Sequence, residues 1–488
     1  MTASTSGPAA ARIFRLAPLD RTGVLLGLGA AQCVLVGVGI FAAGAALQAR
    51  LPAPLVGAPV LVALVLGFAT WEGAPLHQLL PSRARYLLVR GAWNARLPLL
   101  AARTASATAE WPPFLAGIEL VDADGIGVVA DRRRRLLTGT VAVSGREFSL
   151  AERTEQDRIL DGWGEVLNGF CRERGPVSRV RVTEWAGPAG SRDLARFIAD
   201  DTSALRPELL TAYRDLLAEA APTAVHHDVL ISITVDTRRI RRRDSSGNAG
   251  VDALRDELSS LASRLDAAGF ACSPPLDART LARAIRSRLD PTVLLREGRP
   301  GTLAEAAGIT PWNAAPLSSD IELRHVRADA SVHRAYWVAD WPRLDQGPNW
   351  LEPFLLHAGG VRTFALHYEP VARSRSQRRV DRDSTRLAAD EEHRSRAGFR
   401  IGAGHGRAQT AVAEREAELV AGYCELEYAG FVVVTAPDAD TLERSCAEYE
   451  QAAAQIGLQL RPLDGSHDLG LACALPVARG VALRWTTP

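Results

Sequence analysis

Lysine is absent from this 488-residue sequence; apart from histidine, every basic side chain is an arginine. That absence removes whole classes of chemistry. A P-loop needs a lysine that reaches the terminal phosphates of a nucleotide, and a Schiff-base enzyme needs a lysine amine. Methionine occurs once, and with abundant alanine the bias matches a genome rich in G and C. The six cysteines (Cys33, Cys171, Cys272, Cys424, Cys446 and Cys473) include no C-x-x-C spacing. They form neither a disulfide framework nor a zinc site, and read as buried thiols in a reducing compartment. Charge of one sign is also lacking: the formal net charge is +1, so overall electrostatics select no partner.

What is present near the amino terminus is long apolar sequence. No charged residue occurs from Thr22 to Ala49, and after Arg50 a second uncharged run extends from Leu51 to Trp71. About twenty apolar residues span a bilayer core, and a secretory h-region is shorter than either run. Pro52 and Pro54 stand at the start of the second run, where proline harms a helix least. The expectation is a transmembrane hairpin. Arg12, Arg15 and Arg21 precede it, Arg83, Arg85, Arg90, Arg96 and Arg103 follow it, and the connecting loop carries only Arg50. The positive-inside rule then places both termini and the body in the cytoplasm, at the inner membrane. From Ala74 to Leu100, leucines recur among arginines near helical spacing. This reads either as an amphipathic helix along the membrane surface or as a linker helix packed on the body.

The remainder alternates strand and helix patterns. Ile126–Val129, Leu136–Val143, a strand beginning at Val180, and Val229–Val235 read as strands, with Asp157–Cys171 and Ser191–Glu219 as helices. Helices over Val251–Ala268, Leu281–Leu289, Ala408–Gly422 and Asp438–Ile456 are joined by strands His333–Val338, Val361–Glu369, Gly430–Ala436 and Leu458–Leu463, with a short helix around Trp350–Leu356. The expected class is α+β, with helices on one face of an antiparallel sheet. The expected organisation is an arm (1–21), a transmembrane hairpin (22–72), a basic linker (73–104) and two α+β sandwich domains (105–245 and 246–488). Ala372–Arg400 is highly charged and lacks a buried stripe.

Few residues suggest chemistry. Gly402-Ala403-Gly404-His405-Gly406 lacks the full dinucleotide fingerprint and reads more readily as a turn than as a phosphate cradle. His226-His227-Asp228 lacks the i, i+4 spacing of a helical metal site. No G-x-S-x-G elbow is present. Three arginine runs (Arg132–Arg135, Arg238–Arg243 and Arg373–Arg386) read first as solvated faces and second as contacts for phosphate or lipid headgroups. No catalytic, metal or cofactor residue is assigned.

Two stretches carry a resemblance. Pro18, the paired apolar runs, Pro75-Leu76-His77-Gln78-Leu79-Leu80 and Arg85-Tyr86-Leu87-Leu88 resemble the PrgI-like inner-membrane family of type IV (conjugative) secretion systems, actinobacterial members included. Trp341-Pro342, Trp350-Leu351, Arg362-Thr363, Glu414–Gly422, Phe431–Ala436, Ala474-Leu475-Pro476 and Arg479-Gly480 are similar to the amino-terminal, non-motor domain of the secretion ATPase. The resemblance is diffuse and contains no invariant chemical motif. It implies a non-catalytic, membrane-anchored docking component of such an apparatus. Its implied partners are the secretion ATPase or other components, a second copy of itself, and membrane lipids. The competing expectation is a membrane-tethered DNA-binding or regulatory protein; nucleic acid is the less favoured partner.

Overall fold

A computed structural model describes residues 30–71, 74–95, 110–145, 148–188, 225–240, 248–296, 308–342, 346–396 and 403–481, apart from a few isolated positions. The expected amino-terminal arm, the helix over 191–219 apart from positions 208, 209 and 212, and the arginines at 241–243 lie outside them.

The apolar runs form α1 (Ala30–Gln48) and α2 (Ala53–Phe68), packed as a hairpin. Of the two, α1 is long and apolar enough to cross a membrane; α2 is shorter. Contact between them is close because small residues meet: a Cβ on Gly39 would lie 2.6 Å from Cβ of Ala63. The Gln32 side chain donates to the Gly67 carbonyl at 2.9 Å, so a polar group in apolar surroundings has a partner. The outward face carries Val34, Val38, Phe41, Leu47 and Leu61, all exposed.

A tight turn built from β1 (Thr70–Trp71) and β2 (Ala74–Pro75) leads into α3 (Leu76–Val89) and β3 (Gly91–Asn94). The body continues with β4 (Ile118–Ala123), β5 (Ile126–Asp131), β6 (Leu136–Ser144), α4 (Arg153–Asn168), β7 (Val177–Pro188) and β8 (Val225–Asp236). Next come α5 (Ala249–Ala267), β9 (Ala271–Cys272), α6 (Ala278–Leu289) and α7 (Thr292–Arg296). The chain proceeds through β10 (Ser318–Ile321), β11 (Val326–Ala328), β12 (Ser331–Asp340), α8 (Glu352–Leu355), β13 (Val361–Pro370), α9 (Arg373–Arg396) and α10 (Ala403–Ala421). It ends with β14 (Leu426–Ala436), α11 (Ala439–Gln455), β15 (Gln459–Pro462) and α12 (His467–Ala474).

The α+β class holds. All body strands join one antiparallel sheet in the order β3-β10-β11-β12-β14-β13-β7-β8-β6-β5-β4, with β15 beside β12 and β9 beside β6. Strands expected in separate domains therefore meet edge to edge, β7 against β13, from Arg362↔Ala186 to Tyr368↔Val180. The expected boundary near residue 245 falls between β8 and α5, which pack together.

That central pairing is the axis of an internal structural repeat. In the first half β8 lies between β6 and β7, and β9 extends the edge of β6 beyond β5. In the second half β14 lies between β12 and β13, and β15 extends the edge of β12 beyond β11. Each half then runs strand, helix, positive-φ glycine, short strand, helix: β8–α5–Gly269–β9–α6 and β14–α11–Gly457–β15–α12, with φ of 84° and 80° at the two glycines. Both glycines close a helix in the left-handed conformation that side chains resist. Because β7 and β13 are equivalent and antiparallel, the halves are related by an approximate two-fold axis normal to the sheet.

Helices cover both faces, not the single face expected. On one face, alternate strand residues (Val141, Ile231, Ile233, Val235) meet the leucine stripe Leu254, Leu258, Leu261 and Leu265 of α5. Val332, Val432 and Val434 meet Leu442, Cys446 and Tyr449 of α11 in the same way. The opposite face is closed by Leu281, Ile285 and Leu289 of α6 and by Leu471, Ala472 and Leu475. A second face is needed because a strand of a wide sheet presents apolar side chains on both sides.

Candidate docking surfaces

The long charged stretch forms the most prominent surface feature. Residues 373–396 make a continuous 24-residue helix, α9, which pairs with α10 as an antiparallel arm inserted between β13 and β14. The sequence shows no apolar stripe here because burial is confined to the root, at Ser376, Val380 and Leu419. Beyond the root the two helices are held by polar contacts: Arg415 to Asp383 at 2.5 Å and Gln409 to Glu391 at 2.6 Å. His405 and Gly406, expected in a turn or phosphate loop, lie instead in the first turns of α10.

The root is cross-braced. Arg379 reaches Glu425 and Glu427 on the strand side, at 3.5 and 2.6 Å. Glu173, from the segment after α4, accepts hydrogen bonds from the backbone and hydroxyl of Ser374, which hold its carboxyl below the usual range. Cys171 and Cys424 are disulfide-bonded at this point, with Cα atoms 5.9 Å apart. This corrects the expectation of six free thiols. Sequence spacing carries no trace of the pairing, since 253 residues separate the partners. A bond here fits a reducing compartment only as a reversible one.

At the two-fold seam the buried polar groups are structural. Arg181 of β7 is fully buried and donates to the carbonyls of Ala472, Leu475, Val477 and Arg479 at the end of α12. Burial lowers its pKa to about 9, so it remains a cation at neutral pH, placed where a helix end concentrates negative potential. Its register partner His367 contacts the Cys473 carbonyl at 3.0 Å. On the other face Arg362 is buried against Glu184, and Glu184 also meets His227 at 2.7 Å.

Strand alternation divides the His226-His227-Asp228 run. His227 points to Glu184, while His226 and Asp228 line a cleft of about 190 Å³ with Trp185, Thr280, Arg283 and Ser287. Arg288 occupies Asp228 through a 2.8 Å ion pair. The three residues cannot jointly ligate one ion, and among the described residues no group of three or more potential ligands could hold a metal.

The arginine runs are also engaged. Arg132 pairs with Glu119, Arg134 with Asp131, and Arg238 and Arg239 with Asp236. The Asp236 carboxyl is held below its usual range by its hydrogen bond from Arg238. These acid partners offset the positive charge of Arg132, Arg134, Arg238 and Arg239.

The segment that follows the apolar hairpin is built into the body. Arg85 of α3 pairs with Asp468 of α12 and donates to the Gly465 carbonyl. Tyr86 and Val89 pack on the core, and β3 pairs with β10 as an edge strand of the sheet. Neither a family model nor any curated protein matches this chain.

Proposed function

We propose that the chain is a membrane-anchored docking component of a multiprotein assembly, with an inner-membrane secretion apparatus as the specific class suggested by the resemblance. The observation that carries the reading is the mechanical continuity from α1–α2 through α3 and β3 into the sheet, and from the sheet into the braced α9–α10 arm. An enzyme needs a site, whereas a scaffold needs a fixed relation between its anchor and its contact surface. In this reading the hairpin of α1 and α2 spans the bilayer, the body lies on the cytoplasmic side, and the arm meets a protein partner: the assembly's ATPase, another component, or a second copy.

The DNA-binding reading is supported by arginine density alone, and the acid partners of those arginines weigh against it. Replacing the distal arm, residues 384–414, with a short Gly-Ser link tests the choice. The scaffold reading expects the shortened protein to reach the membrane and lose its co-purifying partner, with little change between low and moderate salt. Retention of nucleic acid alone, lost steeply as salt rises, supports the competitor.

A further inference from the structure

The face of α3 turned away from the body is apolar and uncovered. Leu80, Leu87 and Leu88 are 47%, 61% and 86% exposed, and exposed Ala84 lies between them. Positions 80, 84, 87 and 88 follow the i, i+4, i+7, i+8 spacing of a single helical stripe. The opposite side, with Arg85, Tyr86 and Val89, is the side committed to the body. A helix bearing two apolar faces has two apolar surroundings, and only one of them is this chain.

What covers the second is indicated by continuity. The Leu76 amide donates to the Ala69 carbonyl at 2.9 Å, which places the start of α3 against the end of α2. The exposed stripe therefore begins beside the exposed apolar sheath of α1 and α2. Arg90 lies just beyond the helix and is exposed, at the position where a cation meets anionic headgroups. We propose that α3 lies in the membrane interface, with Leu80, Leu87 and Leu88 inserted among lipid acyl chains and the body suspended from its other face. The proposal rests on the reading of α1–α2 as the membrane anchor. It adds that the bilayer contact extends along α3 and so fixes the pose of the whole sheet.

The test uses the full chain in vesicles of phosphatidylethanolamine and phosphatidylglycerol, with a photo-crosslinking amino acid placed singly at positions 41, 88 or 344. Leu344 is a control, 79% exposed on the body. Lipid adducts at 41 and 88, with at least a tenfold lower yield at 344, support the proposal. Adducts at 41 without adducts at 88 overturn it while leaving the anchor reading intact. Adducts from 88 to another protein chain also overturn it. Absence of lipid adducts at 41 instead removes the anchor reading.

Discussion

Arg85 and Asp468, 383 residues apart in sequence, meet through two parallel hydrogen bonds of 2.9 and 2.6 Å. The carboxylate is buried and the guanidinium is about a quarter exposed. This pair joins the helix that follows the apolar hairpin to the helix that closes the seam. Removing the arginine strands a buried charge, whereas removing both partners does not. Arg85→Ala is expected to destabilise the body by about 2–3 kcal/mol, and adding Asp468→Asn should recover part of the loss. Urea unfolding of the detergent-solubilised chain measures both; a single-variant loss below about 0.5 kcal/mol, typical of a surface pair, would contradict the coupling.

Arg181 is expected to be intolerant of an apolar isostere. Arg181→Met removes the guanidinium donor from the Ala472 and Val477 carbonyls, while the Leu475 carbonyl keeps the Val477 amide, at a cost of about 1–3 kcal/mol for each orphaned group. The 475–481 segment should become susceptible to limited proteolysis. Unchanged protection of that segment would show that the guanidinium does not hold it.

Three fully buried histidines set an acid limit. Burial pushes His333 down to about 4, and lowers His367 and His467 as well. In the unfolded chain each returns to about 6.5, so the unfolded state binds more protons between those values. Stability should be flat above about pH 7 and fall as pH drops below about 6.5, by up to about 1.4 kcal/mol per pH unit for each histidine. Below about pH 4 the contribution of His333 is fully lost and its slope vanishes. Urea midpoints from pH 4.5 to 8 check this, and His333→Gln should flatten the slope.

Gly127→Ala places a methyl group 2.7 Å from the backbone of Asp277, the N-cap of α6. Backbone cannot step aside as a side chain can, so a loss of about 1–3 kcal/mol is expected. Gly164, in α4 with nothing within 4 Å, is the control; its alanine variant should be neutral or stabilised by up to about 1 kcal/mol. Thermal unfolding of the pair would refute the packing if both behaved alike.

Strands with strong alternation, such as Val229–Val235, and helices with a leucine stripe, such as α5, were legible in the sequence because burial on one side imposes a period. The short strands β3, β10 and β11 were not, since a few residues hold too little pattern. The α9 helix was hidden because its shaft is stabilised by charge pairs and by α10, with no core-facing stripe to display. The internal repeat was hidden for a different reason: it lies in the sheet pairings and not in the side chains. One sequence trace is present, Pro275-Leu276-Asp277 after Gly269 and Pro462-Leu463-Asp464 after Gly457. Each stretch turns the chain from the short strand into the closing helix. The seam residues Arg181 and Glu184 gave no signal, as isolated charges within a strand pattern resemble exposed positions.

The arm has a mechanical consequence. At 1.5 Å per residue, a helix of this length reaches about 36 Å, yet burial grips only its first two turns. A lever with a short clamped end and a long free end transmits torque: a push at the tip delivers its largest stress where Arg379, Glu173 and the Cys171–Cys424 bond join the two halves of the sheet. A load on the tip would thus fall on the root, where the Cys171–Cys424 bond adds stiffness.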